Sequence, residues 1–379
     1  MYSLLIVYTL HHHYIDGKYG FESSQLTRME LARLSGFDYK HLITSPKTNA
    51  WENRFKEYGF IYGDYILLPK WFLGNVLSQV INSNEEIQFE QGYAFVCDDR
   101  WCFSKDGQIY SEEDLIILYL LSVEIDSSDV FIRDDSRIPM HKLVRFMKFK
   151  GLRYYEYVHH RVLDNGLLPV LNKKISYLVA NEFLASQLKE LGYKAKFFPP
   201  LLLKEVNLKS KNSIQRYLWS GHFGDYKNFN QTLRVFSRCP TVSLDIYGGT
   251  FSEFERYALD VLGYIPENIC YRGFVDNVPY STYDGYISTS NGEVFANSCV
   301  EAMSLGLKCI VKNTNYPYKQ YQDGTQGDVS TASTDDEFVE LLNYWSQRKF
   351  IGLNQKDYVE GFLFKTWVEP FQNLMKEGK

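Results

Sequence analysis

DGYISTSNGEVFANSCVEAMSLGLKCIVK, residues 284–312, decides how the chain is read. An apolar run ends at Ser-Thr-Ser, a polar turn carries Asn291 and Gly292, a helical pattern follows, and KCIVK is a second apolar run. Strand, turn, helix and strand in so short a space form a βαβ unit, which requires a parallel sheet. Two carboxylates, Glu293 and Glu301, stand eight residues apart across the turn and helix. In a helix that spacing is a little over two turns and puts both on roughly one face. Taken alone it fits an acid pair, a metal clamp, two grips on a sugar, or a solvated helix face.

Outward from this stretch the same alternation continues. YLWS, the helix KNFNQTLRVFSR, VSLDIYG, the helix SEFERYALDVLG and NICYRGF precede it, and the helix DDEFVELLNYWSQR follows. The first half alternates too: SLLIVYTL, a helix in ESSQLTRMELARLSG that Gly36 can stop, HLITS, the helix EEDLIILYLLSV, DVFIRD, LRYYEYV, ISYLVA and the helix NEFLASQLKELG. Short aromatic runs split by turn signals such as KDG, about residues 86–112, read as an inserted antiparallel meander. Pro199-Pro200 cannot continue a central strand, and the polar stretch after it is the best linker. The expectation is an α/β chain of two Rossmann-like domains facing a cleft. Residues 1–205 with the returning tail 357–379 form the first domain, and residues 206–356 the second. Open α/β sheets bind ligands at the carboxyl ends of their strands.

Composition removes several classes. A net charge of −5 and a pI near 6.0 offer no general attraction to phosphate backbones, which argues against a nucleic-acid partner. Six cysteines fall into no CxxC pairing, so they read as structural thiols. The apolar start lacks a basic n-region and a small-residue cleavage site, and no run reaches the ~20 apolar residues of a membrane span. A cytoplasmic chain, at most peripheral to the inner face of the plasma membrane, is expected. The basic helix at 139–150, with Lys142, Arg145 and Lys148 against Leu143, Phe146 and Met147, is the candidate for such contact; a solvated surface helix is the commoner case.

The residues themselves suggest an anion site. The turn before a helix offers backbone N–H groups where negative charge is favoured by about 0.3–1 kcal/mol. WSGHFGDYKN, residues 219–228, also follows a strand and opens a helix; Gly221 lets the chain approach a ligand, and Lys227 brings a cation. HHHYID, starting at His11, is a weak metal candidate, since three consecutive side chains on an extended segment point apart. The Asp pairs of CDDRW and RDDSR read as turn and edge residues.

The order and spacing of SGHFGDYKN, VSLDIYGG, YRGFV, ISTSNGEVFANSCVEAMSLGLKCIVKN and DGTQGDV resemble the second domain of retaining family 4 glycosyltransferases, which have the glycosyltransferase-B fold. The likeness covers most of Tyr217–Val329. By resemblance, Glu293 contacts the transferred sugar, Glu301 the nucleotide ribose and Lys227 the diphosphate, with backbone N–H groups from Phe295 and Ala296. GFESSQLTR, after Gly17 and Gly20, is similar to the subfamily acting on serine-rich adhesins and wall teichoic acid, which also carries a β-meander in the first domain. There Gly20 lies in a loop facing the donor, and one histidine of YVHH, His159 or His160, contacts the donor sugar. Two positions depart from the family: His222 stands where it usually has Arg, and Val294 where it has Gly. Arginine offers a permanent bidentate charge and histidine does not.

The resemblance implies a metal-independent, cofactor-free, retaining transferase. It moves a hexose or N-acetylhexosamine, glucose or N-acetylglucosamine, from a UDP-linked sugar to a hydroxyl of a protein or cell-surface glycan or polymer. Glu293, Lys227 and His159 are its catalytic candidates; Gly20, His160, Gly221, His222, Phe295, Ala296 and Glu301 complete donor binding. The alternative is a catalytically inactive, acceptor-binding partner of a glycosyltransferase subunit. A glycosidase using Glu293 and Glu301 as acid and nucleophile is a further rival, disfavoured by the Rossmann-like setting.

Overall fold

The computed structural model describes residues 6–11, 21–44, 64–78, 86–97, 100–134, 140–158, 171–202, 206–208, 210–275, 277–314 and 317–377. Contacts divide the chain into two compact units, Met1–Phe198 with Trp367–Lys379, and Pro199–Thr366.

The strands of the first unit are β1 (Ile6–His11), β2 (Asp38–Ile43), β3 (Tyr65–Leu67), β4 (Val76–Ser78), β5 (Ile87–Phe89), β6 (Gly92–Cys97), β7 (Arg100–Lys105), β8 (Gln108–Ser111), β9 (Val130–Asp134), β10 (Arg153–Val158), β11 (Ser176–Val179) and β12 (Lys194–Phe197). Seven of them make one parallel sheet in the order β12-β11-β10-β9-β1-β2-β3. Such strands are covered on both faces and read as continuous apolar runs; Val130, Phe131 and Ile132 of β9 are all buried. The helix Phe21–Leu34 follows β1, and Gly36 at φ 74° closes it.

The insert is a five-stranded antiparallel sheet, β4 to β8. It begins at Val76, ten residues before the expected start, because β4 pairs with β5. Asp106 (φ 51°) and Gly107 (φ 76°) turn β7 into β8 with both central residues left-handed, the geometry that matches strand twist. Behind it the helix Glu112–Ser122 starts in a capping box between Ser111 and Asp114. The basic helix His141–Phe149 buries Leu143 and Met147, and its Lys142 is ion-paired to Asp114 at 2.9 Å. Much of that helix is thus explained by packing and pairing inside the unit.

The second unit has β13 (Arg216–Ser220), β14 (Ser243–Tyr247), β15 (Ile269–Gly273), β16 (Gly285–Ser288), β17 (Lys308–Lys312) and β18 (Ser330–Ala332). They form one parallel sheet in the order β15-β14-β13-β16-β17-β18. Its core gathers Trp219, Phe229, Phe236, Ile246, Ile287, Ile310 and Phe338. The strand order reverses between β13 and β16, the position at the carboxyl ends of the strands where open α/β sheets bind ligands. Residues 221–228 and 289–296 are the loops that leave these two strands there.

The unit limits differ from the expected 205/206 and 357. The first division falls between Phe198 and Pro199, at the proline pair, and the chain rejoins the first unit only at Trp367. Tyr358 and Phe362 pack on Tyr321 and Phe295, with ring centroids 5.9 and 5.1 Å apart, which keeps the helix Leu353–Glu360 in the second unit. Trp367 then meets Phe197 and Phe198, both at 5.5 Å, and Phe371 meets Phe37 at 6.1 Å. Among the described residues no helix is long and apolar enough to cross a membrane, and no group of three His, Cys, Asp or Glu is arranged for a metal ion. All six cysteines are free thiols.

Candidate functional site

The loop after β13 is shaped by what lies beside it. The Gly221 N–H donates to the Tyr247 carbonyl at 3.0 Å, and the Gly248 N–H donates to the Gly273 carbonyl, also at 3.0 Å. Gly248 has φ 111°, and a Cβ there would sit 2.0 Å from the Gly221 carbonyl oxygen. The glycine is therefore needed for the two chains to come this close. Phe223 then turns inward and stacks on Trp219, with rings 5.4 Å apart. Asp225–Lys227 make a single 3-10 turn, and Asn228 at φ 49° hands the chain to the helix Phe229–Ser237.

The loop after β16 is strapped to the first. The Asn291 N–H donates to the Tyr226 carbonyl at 2.7 Å, and the Ser290 hydroxyl donates to the same oxygen at 3.2 Å. The buried Thr289 hydroxyl donates to the Asn228 carbonyl at 2.9 Å. Backbone groups of both loops are satisfied by one another, so neither can move far alone. Ala296 at φ 46° leads into the helix Asn297–Ser304, a left-handed entry costing an L-residue about 1–2 kcal/mol. The fold holds it there: Val294 and Phe295 are buried, and the Tyr321 hydroxyl donates to the Phe295 carbonyl.

This strapping brings Lys227 and Glu293 together. Lys227 Nζ donates to Glu293 Oε1 at 2.5 Å, with the two side chains only 18% and 14% exposed. Lys227 Nζ also lies 5.2 Å from the Tyr226 ring centre. The His222 ring lies 5.4 Å from the same ring, in an edge contact. Burial, then the Lys227 charge, lowers the His222 pKa from 6.5, against the pull of Glu293 and Glu253. The imidazole is therefore neutral at pH 7. Burial and Glu293 raise the Tyr226 phenol, which stays protonated.

Glu301, on the helix beyond, is hydrogen-bonded by the Tyr280 hydroxyl, which also bonds Ser298 and, at 3.1 Å, Ser220 Oγ. Sequence reading attached no role to Tyr280, one tyrosine among 30 in a short 3-10 turn. It also left the YGG glycines as motif without function, although a glycine pair at a strand end was a usable signal. Of the sequence candidates, Gly221, His222, Lys227, Glu293, Phe295, Ala296 and Glu301 all lie on these two loops and the helix that follows. Gly17, Gly20, His159, His160 and His12 onward lie outside the described residues.

Chemically, the arrangement offers a cation and a carboxylate in contact, a second carboxylate, a neutral imidazole and a helix start, all at one switch point. That set suits a ligand with anionic oxygens beside hydroxyls.

Residues 204–358 match the family model described as glycosyl transferases group 1. No curated protein matches the chain. Among solved structures, the pneumococcal O-GlcNAc transferase GtfA, in complex with UDP and GlcNAc, superposes with a TM-score of 0.73 at 14% identity, covering 99% of both chains. A mutant of S. aureus TarM in complex with Fondaparinux, alpha-GlcNAc-glycerol and UDP gives 0.72 at 12% identity over 99% of this chain and 100% of that one. The GtfA/B complex gives 0.69 at 14% identity over 98% and 99%. At these identities the likeness carries the fold, which is glycosyltransferase-B. The matched region covers both site loops.

Proposed function

We propose that the chain is a retaining glycosyltransferase that needs no metal. It takes a hexose or N-acetylhexosamine, glucose or N-acetylglucosamine, from a UDP-linked donor to a hydroxyl of a protein or cell-surface glycan. The observation that carries this reading is the 2.5 Å Lys227–Glu293 pair, held by two strapped loops inside the matched region. On donor binding the diphosphate competes for Lys227, and Glu293 is released to accept sugar hydroxyls. Lys227 and the N–H groups at the start of the helix Asn297–Ser304 then stabilise the departing diphosphate. The acceptor oxygen forms its bond to the anomeric carbon as the carbon–phosphate-oxygen bond breaks on the same face. The acceptor proton passes to the leaving diphosphate, so no protein nucleophile is needed. Gly20, His159 and His160 belong to this proposal through the resemblance alone.

Thermal denaturation with UDP-N-acetylglucosamine and UDP-glucose, followed by mass spectrometry of slowly released sugar, tests it. A donor at a hundred times its Kd adds about 2.7 kcal/mol, a rise of roughly 5–10 °C in the melting temperature. Glu293→Gln keeps an acceptor for Lys227 but gives up the charge of a largely buried pair, so stability falls by about 1–3 kcal/mol, while release falls at least about ten-fold. Intact release would remove Glu293 from the sugar contact. A second reading, an inactive acceptor-binding partner, is favoured by the neutral His222 in place of a permanent cation. It predicts no thermal response to any nucleotide sugar.

A further inference from the structure

Tyr280 is buried, 6% exposed, in the turn Tyr280–Thr282 between β15 and β16. Its hydroxyl meets Ser220 Oγ at 3.1 Å and also hydrogen-bonds Ser298 and Glu301. A phenol has one proton to give and two lone pairs to receive, whereas an ionised carboxylate only accepts. The three contacts therefore have one consistent arrangement. Tyr280 donates to Glu301, and the Ser220 and Ser298 hydroxyls donate to Tyr280. Ser220 is the last residue of β13, directly before Gly221 and His222, while Ser298 and Glu301 share the helix after Ala296. One buried hydroxyl thus ties the Glu301 carboxylate to the strand end from which the Lys227 loop departs.

We propose that Tyr280 is a positioning residue for Glu301: its hydroxyl fixes the carboxylate so that the remaining acceptor positions face the vicinal hydroxyls of the donor ribose. This rests on the reading of Glu301 as the ribose contact. A carboxylate pinned by a charge-assisted bond holds its other lone pairs in a fixed direction, and a diol gains its bonds without first ordering the side chain. Tyr280 itself touches no substrate.

The test is calorimetric titration of the full chain with UDP and with 2′-deoxy-UDP. Wild type should prefer UDP by about ten-fold or more, the worth of a hydrogen bond to a charged group. Tyr280→Phe removes one oxygen and keeps the ring; it should lower UDP affinity while leaving 2′-deoxy-UDP nearly unchanged, so that the preference collapses. Glu301→Gln should collapse it as well, and the double variant should lose nothing further. Equal weakening of both nucleotides by Tyr280→Phe would mark a merely structural tyrosine and overturn the proposal. Wild-type indifference to the 2′-hydroxyl would instead sink the ribose reading of Glu301, and the proposal with it. Should Tyr280→Phe fold poorly, Ser220→Ala removes one donor to the same hydroxyl and should reduce the preference in the same direction; an unchanged preference there overturns the proposal.

Discussion

Replacing Gly248 by alanine tests the geometry that shapes the first site loop. The new Cβ would lie 2.0 Å from the Gly221 carbonyl oxygen and 2.9 Å from its carbon, where an ordinary contact is about 3.4 Å. Relief requires a backbone shift of about 1.4 Å, and both partners are held: Gly221 by its bond to Tyr247 and Gly248 by its bond to Gly273. A non-glycine residue near φ 111° costs roughly 1–3 kcal/mol, and breaking one of those backbone bonds adds about 1 kcal/mol. The expected loss is about 2–4 kcal/mol, or about 5–15 °C in melting temperature for a unit of this size. Gly263→Ala is the control: Gly263 has φ 77° with nothing within 4 Å of its Cβ position, so it should lose only about 1 kcal/mol. Chemical unfolding measures both variants, and UDP titration reads the loop. Gly248→Ala should bind UDP at least ten times more weakly, whereas Gly263→Ala binds as wild type. Equal destabilisation by the two substitutions, with UDP affinity unchanged in both, would refute the close-approach argument.

Two further outcomes concern protons. His222 is neutral in the free protein, among Lys227, Glu293, Glu253 and a protonated Tyr226, and a bound diphosphate favours its charged form. Binding then takes up a proton, so UDP affinity gains a component that falls as pH rises through the region of the His222 pKa. His222→Arg stays charged, and the difference in slope of log affinity against pH between wild type and variant isolates this component from the titration of UDP itself. Identical slopes would mean that His222 does not face the diphosphate. His41, fully buried on β2 near Arg28, is lowered to about 3, below its unfolded value of 6.5. The unfolded chain binds that proton first, so stability is lost as pH falls from 6.5 toward 3. Between pH 7 and 5 the loss is about 2 kcal/mol, and His41→Gln should remove this share of the acid sensitivity in denaturant titrations.

Local signals made most of the elements legible. Residues 284–312 announce strand, turn, helix and strand, and Thr250 with Glu253 and Thr334 with Glu337 form capping boxes just where helices begin. Parallel strands buried on both faces leave uninterrupted apolar runs, so β9, β16 and β17 stand out in the primary sequence. The tail did not declare its allegiance. Its aromatic stripe is continuous, and only packing assigns Tyr358 and Phe362 to the second unit and Trp367 and Phe371 to the first.

The sequence by itself determined the α/β class, the βαβ repeats and the residue types at the switch point, because periodicity and turn chemistry are local properties. It named Lys227 and Glu293 separately, sixty-six residues apart, with no means of placing one against the other. Only the tertiary structure decided that they are in contact, that His222 is held neutral, and that Tyr280 bonds Glu301. Ion pairs, desolvation and shared hydrogen bonds depend on distances between segments, and those distances exist only once the sheet order β15-β14-β13-β16-β17-β18 has brought the two loops side by side.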